Sequence, residues 1–242
     1  MKKSKKLLSL LLAVLMLASI LPLSALATEP AVSAFDDLPE EGHWALPGIS
    51  FCVERGLMKG VDEHHFAPDA ITTRAQMITI LWRMSGSPNW MQRYDIPRPL
   101  ILDLTQDWYK TAVDWAFRVG LTKGTHSKIE DINGFEMNMG WYFEPDAPVT
   151  REQLVTFLHR YTWTAVNVPA PSNGDLSQFP DAGSVSGWAS DAMRWAVGND
   201  ILHGTNVNGT AYLDPQGYAT RAQIATLMQN FVLALAASNF SS

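Results

Sequence analysis

The chain holds one cysteine, Cys52, in 242 residues. It can form no internal disulfide, so its stability must come from packing. Positive charge is also scarce, with 18 Lys and Arg against 24 Asp and Glu. That balance argues against nucleic acid or an anionic membrane surface as a general partner. None of His43, His64, His65, His126, His159 and His203 lies in a His-Glu-x-x-His or related metal pattern. The adjacent His64-His65 pair reads as a solvated loop. No Gly-x-Ser-x-Gly elbow occurs, and no carboxylate pair is marked out for acid–base work. The expectation is a chain with no catalytic residues, no metal and no cofactor.

Long apolar runs are absent except at the start. Lys2, Lys3, Lys5 and Lys6 precede an apolar stretch from Leu7 to about Leu23, and Ala25-Leu26-Ala27 follows. This is the pattern of a signal peptide cleaved after Ala27. The run is short beside the roughly 20 residues of a spanning helix. Removing 1–27 takes four of the 18 basic residues and no acids, leaving 14 against 24 and a formal charge of −10. Residues 1–27 are therefore read as a signal peptide and the mature chain as secreted.

What the chain does have is repetition. Thr73-Arg74-Ala75-Gln76, Thr150-Arg151-Glu152-Gln153 and Thr220-Arg221-Ala222-Gln223 each open an apolar stretch. Recurrence at this spacing means one structural unit used three times. Each unit begins with an apolar residue, a spacer and an aspartate: Asp37, Asp103 and Asp181. A tryptophan follows, Trp44, Trp108 or Trp188. Small residues then recur every fourth position, Gly48 and Cys52, Ala112 and Ala116, Ala192 and Ala196, on one helical face where another helix can approach closely. Cys52 thus reads as a small core residue. Gly56 and Gly120 suit helix ends that need a left-handed residue, and the third unit has Asp200 there. Second glycines follow at Gly60, Gly124 and Gly204. A polar loop leads to Phe66-Ala67-Pro68, Phe143-Glu144-Pro145 or Leu213-Asp214-Pro215. The loop of unit two, 125–141, is the longest and reads as a local insertion. Each second helix starts at the repeated phrase, with threonine as N-cap and glutamine completing a capping box. Boundaries fall at 28–87, 97–163 and 176–235, with 236–242 as a tail.

Arg74, Arg151 and Arg221 are expected at the first helical position. A helix N-terminus carries partial positive charge, so a cation there calls for a partner. One option is an internal carboxylate, Asp37, Asp103 or Asp181. The other is an external anion held by guanidinium and helix terminus together. Trp44, Trp108 and Trp188 fit either a core or a sugar-binding face, because sugar C–H faces are apolar and their hydroxyls are not.

The order Phe-x-Asp, Trp, Ala-x-x-x-Gly-Leu-x-x-Gly, Phe-x-Pro, Thr-Arg-[Ala/Glu]-Gln resembles the S-layer homology (SLH) repeat of bacterial surface proteins, from about Phe35 to Phe231. The resemblance implies a mainly α-helical fold, with three helix–loop–helix repeats in pseudo-threefold array around a central helical bundle. It implies non-covalent attachment to anionic, often pyruvylated, secondary polysaccharide of a Gram-positive cell wall, through grooves between repeats. It assigns Arg74, Arg151 and Arg221 to the ketal carboxylate. Asp37, Asp103, Asp181, Trp44, Trp108, Trp188, Gly60, Gly124 and Gly204 would line the grooves. Other surface proteins are further expected partners. The competing readings are a surface assembly protein and a wall-glycan hydrolase. Unit two departs at Ile101 and in its long loop. Unit three departs at Asp200 and Leu213.

Overall fold

The computed structural model describes residues 32–89, 100–132, 135–166 and 171–240. The signal-peptide reading and most of the stretch between the first two units, 88–96, lie outside them. The described chain is mainly α-helical. Its helices are α1 (Leu46–Glu54), α2 (Arg74–Met84), α3 (Asp107–Arg118), α4 (Arg151–Thr164), α5 (Ser190–Gly198) and α6 (Arg221–Phe240). Short 3-10 turns lie at Val32–Ala34, Ala182–Ser184 and Gly187–Ala189. Among the described residues no helix is long and apolar enough to cross a membrane.

The second helix of every repeat begins as its sequence dictates. Thr73, Thr150 and Thr220 accept the backbone N–H of Gln76, Gln153 and Gln223, each at 3.3 Å. The glutamine side chains return the bond to the threonine N–H at 3.0, 3.4 and 3.0 Å. Two orphan donors are thereby satisfied at each start.

Two compact units emerge, and the divisions fall at the repeated phrases, between 71 and 72 and between 149 and 150. One unit is 72–149. In it α2, from the first repeat, packs on α3, from the second. The other comprises the chain up to Ile71 and from Thr150 on. In it α4 packs on α5, and α6 packs on α1. Each first helix therefore takes its partner from the preceding repeat, and the first repeat takes its partner from the last.

The small-residue face does what its spacing requires. A Cβ on Gly48 would come within 3 Å of main-chain atoms of Ala225 and Thr226 on α6. The thiol of Cys52 lies 3.6 Å from the Ala225 carbonyl, and burial pushes its pKa up to about 12. Ala112, Ala116, Ala192 and Ala196 are buried as well, beside Trp115 and Trp195. On α3 the buried Arg118 meets Asp114 at 2.9 Å, one turn away.

The loop of the second repeat is not merely polar chain. It forms an antiparallel hairpin, β1 (His126–Ile132) with β2 (Phe135–Tyr142), whose register shifts between Lys128 and Ile129. A shorter hairpin, β3 (Thr205–Val207) with β4 (Thr210–Tyr212), fills the same place in the third repeat.

Candidate functional site

Asp37, Asp103 and Asp181 each grip a loop of their own repeat. Asp37 accepts the N–H groups of Phe66 and Ala67, both at 2.7 Å. Asp103 accepts those of Phe143 at 3.0 Å and Glu144 at 2.6 Å. Asp181 accepts those of Leu213 at 2.9 Å and Asp214 at 2.7 Å. The second residue of each pair has positive φ: Ala67 at 57°, Glu144 at 57° and Asp214 at 47°. A non-glycine residue there is strained by about 1–2 kcal/mol. The bidentate carboxylate holds it in place.

The arginines reach the same peptide from the other side. Arg221 Nε donates to the Phe66 carbonyl at 2.7 Å. Arg74 Nε donates to Phe143 at 2.9 Å, and Arg151 Nε to Leu213 at 2.8 Å. Guanidinium and carboxylate thus sit on opposite ends of one peptide group, which transmits their attraction as a polarised hydrogen-bond chain. Arg221 Nη2 also donates to the Lys59 carbonyl at 2.7 Å. Arg221 lies 4.6 Å from the Phe66 ring centroid and Arg74 lies 4.8 Å from that of Phe143. Leu213 offers Arg151 no such ring.

All three arginines are buried, at 4, 6 and 6 % exposure for Arg74, Arg151 and Arg221. Burial lowers the pKa of Arg74 and Arg151. Glu144 and Asp103 oppose that shift at Arg74, and Asp214 and Asp181 oppose it at Arg151.

The expectation that the helix terminus itself offers N–H groups to an anion is corrected. The Arg74 and Ala75 N–H groups go to Ala147 and Pro145, those of Arg151 and Glu152 to Gly217 and Pro215, and those of Arg221 and Ala222 to Ala70 and Pro68, all at 2.9 Å. The next donor is taken by the threonine cap. The chain spends these donors on its own loop carbonyls, because buried amides must be paired.

The tryptophans are not core. Trp44, Trp108 and Trp188 are 56, 52 and 56 % exposed. Trp44 precedes α1, Trp108 lies in its first turn on α3, and Trp188 lies in the turn before α5. Gly124 and Gly204 have φ of 79° and 80°. A Cβ on either would strike the carbonyl of Tyr142 or Tyr212, and one on Gly60 would strike the Phe35 ring and the Asp62 and His65 carbonyls.

Each set is assembled from two repeats. Arg74 from the first shares its unit with Asp103, Trp108 and Gly124 from the second. Arg151 shares its unit with Asp181, Trp188 and Gly204, and Arg221 with Asp37, Trp44 and Gly60. Sequence reasoning missed the peptide between arginine and aspartate, because backbone groups leave no compositional mark. It also missed Glu152, which replaces Ala75 and Ala222. Its buried carboxylate accepts Ser186 N at 3.0 Å, Ser186 Oγ at 2.8 Å and Gln216 Nε2 at 3.2 Å. Among the described residues no group of three or more His, Cys, Asp or Glu is placed to hold a metal.

Fold and site define a repeat protein whose equivalent sites combine residues of successive copies. The family model described as S-layer homology domain matches residues 34–78 and 178–225. The chain is an SLH-domain protein, with repeats matched at those two positions. It is 24 % identical over 244 residues to an endoglucanase of Bacillus sp. (strain KSM-635), covering 99 % of this chain and 23 % of the relative. It is 23 % identical to the surface-layer 125 kDa protein of Lysinibacillus sphaericus, covering 86 % of this chain and 16 % of that one. It is 31 % identical to the S-layer protein sap of Bacillus anthracis, over 45 % of this chain and 12 % of the relative. The chain spans less than a quarter of the length of each of these relatives.

Proposed function

We propose that the chain attaches non-covalently to the surface of a Gram-positive cell wall by binding an anionic, pyruvylated secondary polysaccharide. Residues 97–163 act as the middle SLH repeat, between copies at 28–87 and 176–235. The three copies pack in pseudo-threefold order around a central helical bundle. The cyclic pairing α2 with α3, α4 with α5 and α6 with α1 supports that arrangement.

The observation that carries the reading is the recurrence of one set at every junction. An exposed indole lies on the same compact unit as a buried guanidinium, an aspartate-pinned loop and a glycine without room for a side chain. The indole offers a flat apolar face to a sugar ring. The guanidinium supplies positive charge from a low-dielectric wall, where it acts more strongly than in water. Arg74, Arg151, Arg221, the three aspartates, the three tryptophans and Gly60, Gly124 and Gly204 form these grooves. Three weak grooves on one polymer add avidity. Screening over about 8–10 Å lets an acidic protein bind an acidic polymer through such local points. The role is anchoring rather than catalysis. The names of the surface-layer relatives agree with a place at the cell surface.

The test is sedimentation of the secreted chain with purified walls before and after acid extraction of the secondary polymer. Binding is expected only before extraction. Equal binding to both would reject the proposal.

A further inference from the structure

We propose that Glu152 is a positioning residue that fixes the turn carrying Trp188 for its saccharide, from across the junction between two repeats. The inference rests on the anchoring reading and adds a residue to its third site. Glu152 is buried, at 4 % exposure. It accepts the Ser186 N–H at 3.0 Å, the Ser186 hydroxyl at 2.8 Å and Gln216 Nε2 at 3.2 Å. Gln216 Nε2 also donates to the Ser184 carbonyl at 2.8 Å. Ser186 directly precedes the turn Gly187–Ala189, and its carbonyl takes the Ala189 N–H at 2.9 Å. Trp188 is the middle residue of that turn, and α4 packs against it. The indole is thus carried by backbone that a helix of the preceding repeat holds. Leaving a buried carboxylate without its donors is costly, so the grip is firm.

The three members of this grip change together within the chain. Where Glu152 follows its arginine, the other copies of the phrase have Ala75 and Ala222. Two residues before the tryptophan, Ser186 stands in place of Gly42 and Gln106. After the loop proline, Gln216 stands in place of Asp69 and Asp146. An aspartate there has no N–H to give a carboxylate, and glutamine has two. The same loop carries Leu213, so it lacks the ring that Phe66 and Phe143 set beside their arginines. The segments carrying the other tryptophans bond within their own repeats. The Thr105 and Gln106 N–H groups go to the Tyr109 hydroxyl at 3.2 Å each, and the Ala45 N–H goes to His43 Nδ1 at 3.3 Å. A turn fixed before the sugar arrives loses less freedom on binding. The groove of Arg151 and Trp188 therefore gains affinity from a residue that acts through the indole.

The test is fluorine NMR of the full secreted chain carrying fluorotryptophan, titrated with the methyl glycoside of a pyruvate-ketal amino sugar. The Trp44, Trp108 and Trp188 signals, assigned with Trp44→Phe, Trp108→Phe and Trp188→Phe, report each groove separately. Glu152→Ala is expected to shift or broaden the Trp188 signal of the free chain. It should weaken binding at Trp188 by about three- to tenfold, the range for ordering one more mobile group, with Trp44 and Trp108 unaffected. Ser186→Ala alters the turn and not α4, and serves if Glu152→Ala does not fold. It should act in the same direction by a smaller factor, and the double variant should match Glu152→Ala. Glu152→Gln, which keeps an acceptor in place, should restore most of the affinity. Three results would overturn this inference and leave the anchoring reading intact. They are an unmoved Trp188 signal with unchanged binding in both alanine variants, an equal loss at all three tryptophans, and a wild type that responds at Trp44 and Trp108 but not at Trp188. No wild-type response at any of the three would remove both.

Discussion

Arg221 and Asp37 hold opposite ends of one peptide group. The guanidinium takes the Phe66 carbonyl at 2.7 Å and the carboxylate takes the Ala67 N–H at 2.7 Å. The two residues are 184 positions apart in the chain, yet they act as one device. It closes the contact between the last repeat and the first through that shared peptide. Its counterparts are Arg74 with Asp103 and Arg151 with Asp181.

This pairing predicts coupled stability. Arg221→Ala or Asp37→Ala leaves buried or half-buried loop groups unpaired, and each is expected to cost about 2–3 kcal/mol. The double variant should fall short of the sum by about 1 kcal/mol, because both changes release the same peptide. Urea unfolding of the four proteins measures the cycle. Strict additivity would contradict a shared device.

The strained residue of the loop predicts a stabilising substitution. Ala67 has a φ of 57°, where glycine has no steric penalty. Ala67→Gly is expected to raise stability by about 1 kcal/mol, as relief of strain exceeds the entropy that glycine costs. A lower unfolding midpoint at an unchanged slope would show that the side chain contributes more than the strain removes.

Cys52 predicts a fall in stability in alkali. Burial raises its pKa from 9.0 to about 12, with Arg55 opposing weakly. Between those values the unfolded thiol ionises and the folded one does not, so the unfolded state binds fewer protons. The stability due to this group is full below about pH 9 and falls above it, at about 1.4 kcal/mol per pH unit. Cys52→Ala, which copies Ala116 and Ala196, should remove this component from the slope. The folded wild type should resist thiol reagents at pH 8 and react only on unfolding. Rapid labelling of the native chain would refute the burial.

Buried arginines and exposed tryptophans predict different losses. Trp44→Ala, Trp108→Ala and Trp188→Ala remove half-exposed rings and should each change stability by under about 0.5 kcal/mol. Each should weaken saccharide binding at its own groove. Arg74→Ala, Arg151→Ala and Arg221→Ala should lower both stability and binding. Thermal melts beside glycoside titrations separate the two behaviours.

Much of this was legible in the residues. The Thr-x-x-Gln boxes mark three helix starts because a cap and its reciprocal bond lie within four residues. Gly48, Cys52 and the paired alanines mark the close helix face, since only small side chains permit it. The exposure of Trp44, Trp108 and Trp188 was not legible, because a tryptophan heading an amphipathic helix suits either side. Nor was the exchange of partners between repeats, which depends on where the chain returns in space. The hairpins were missed although Asn208-Gly209 and Asn133-Gly134 are strong turn signals. Asn208 and Gly209 adopt the positive φ such a turn needs, 51° and 86°. The Arg–peptide–Asp bridge was read as a choice between a salt bridge and a ligand, because its middle member is backbone.

The most direct test joins the three indoles to the wall. Equilibrium binding to polymer-bearing walls should be compared for the wild type and for the variant carrying Trp44→Ala, Trp108→Ala and Trp188→Ala, with melting curves for both. The account predicts matching melts and binding weaker by at least tenfold, because each lost ring removes an apolar contact with a sugar face worth about 1 kcal/mol. Equal binding by the two proteins would contradict it.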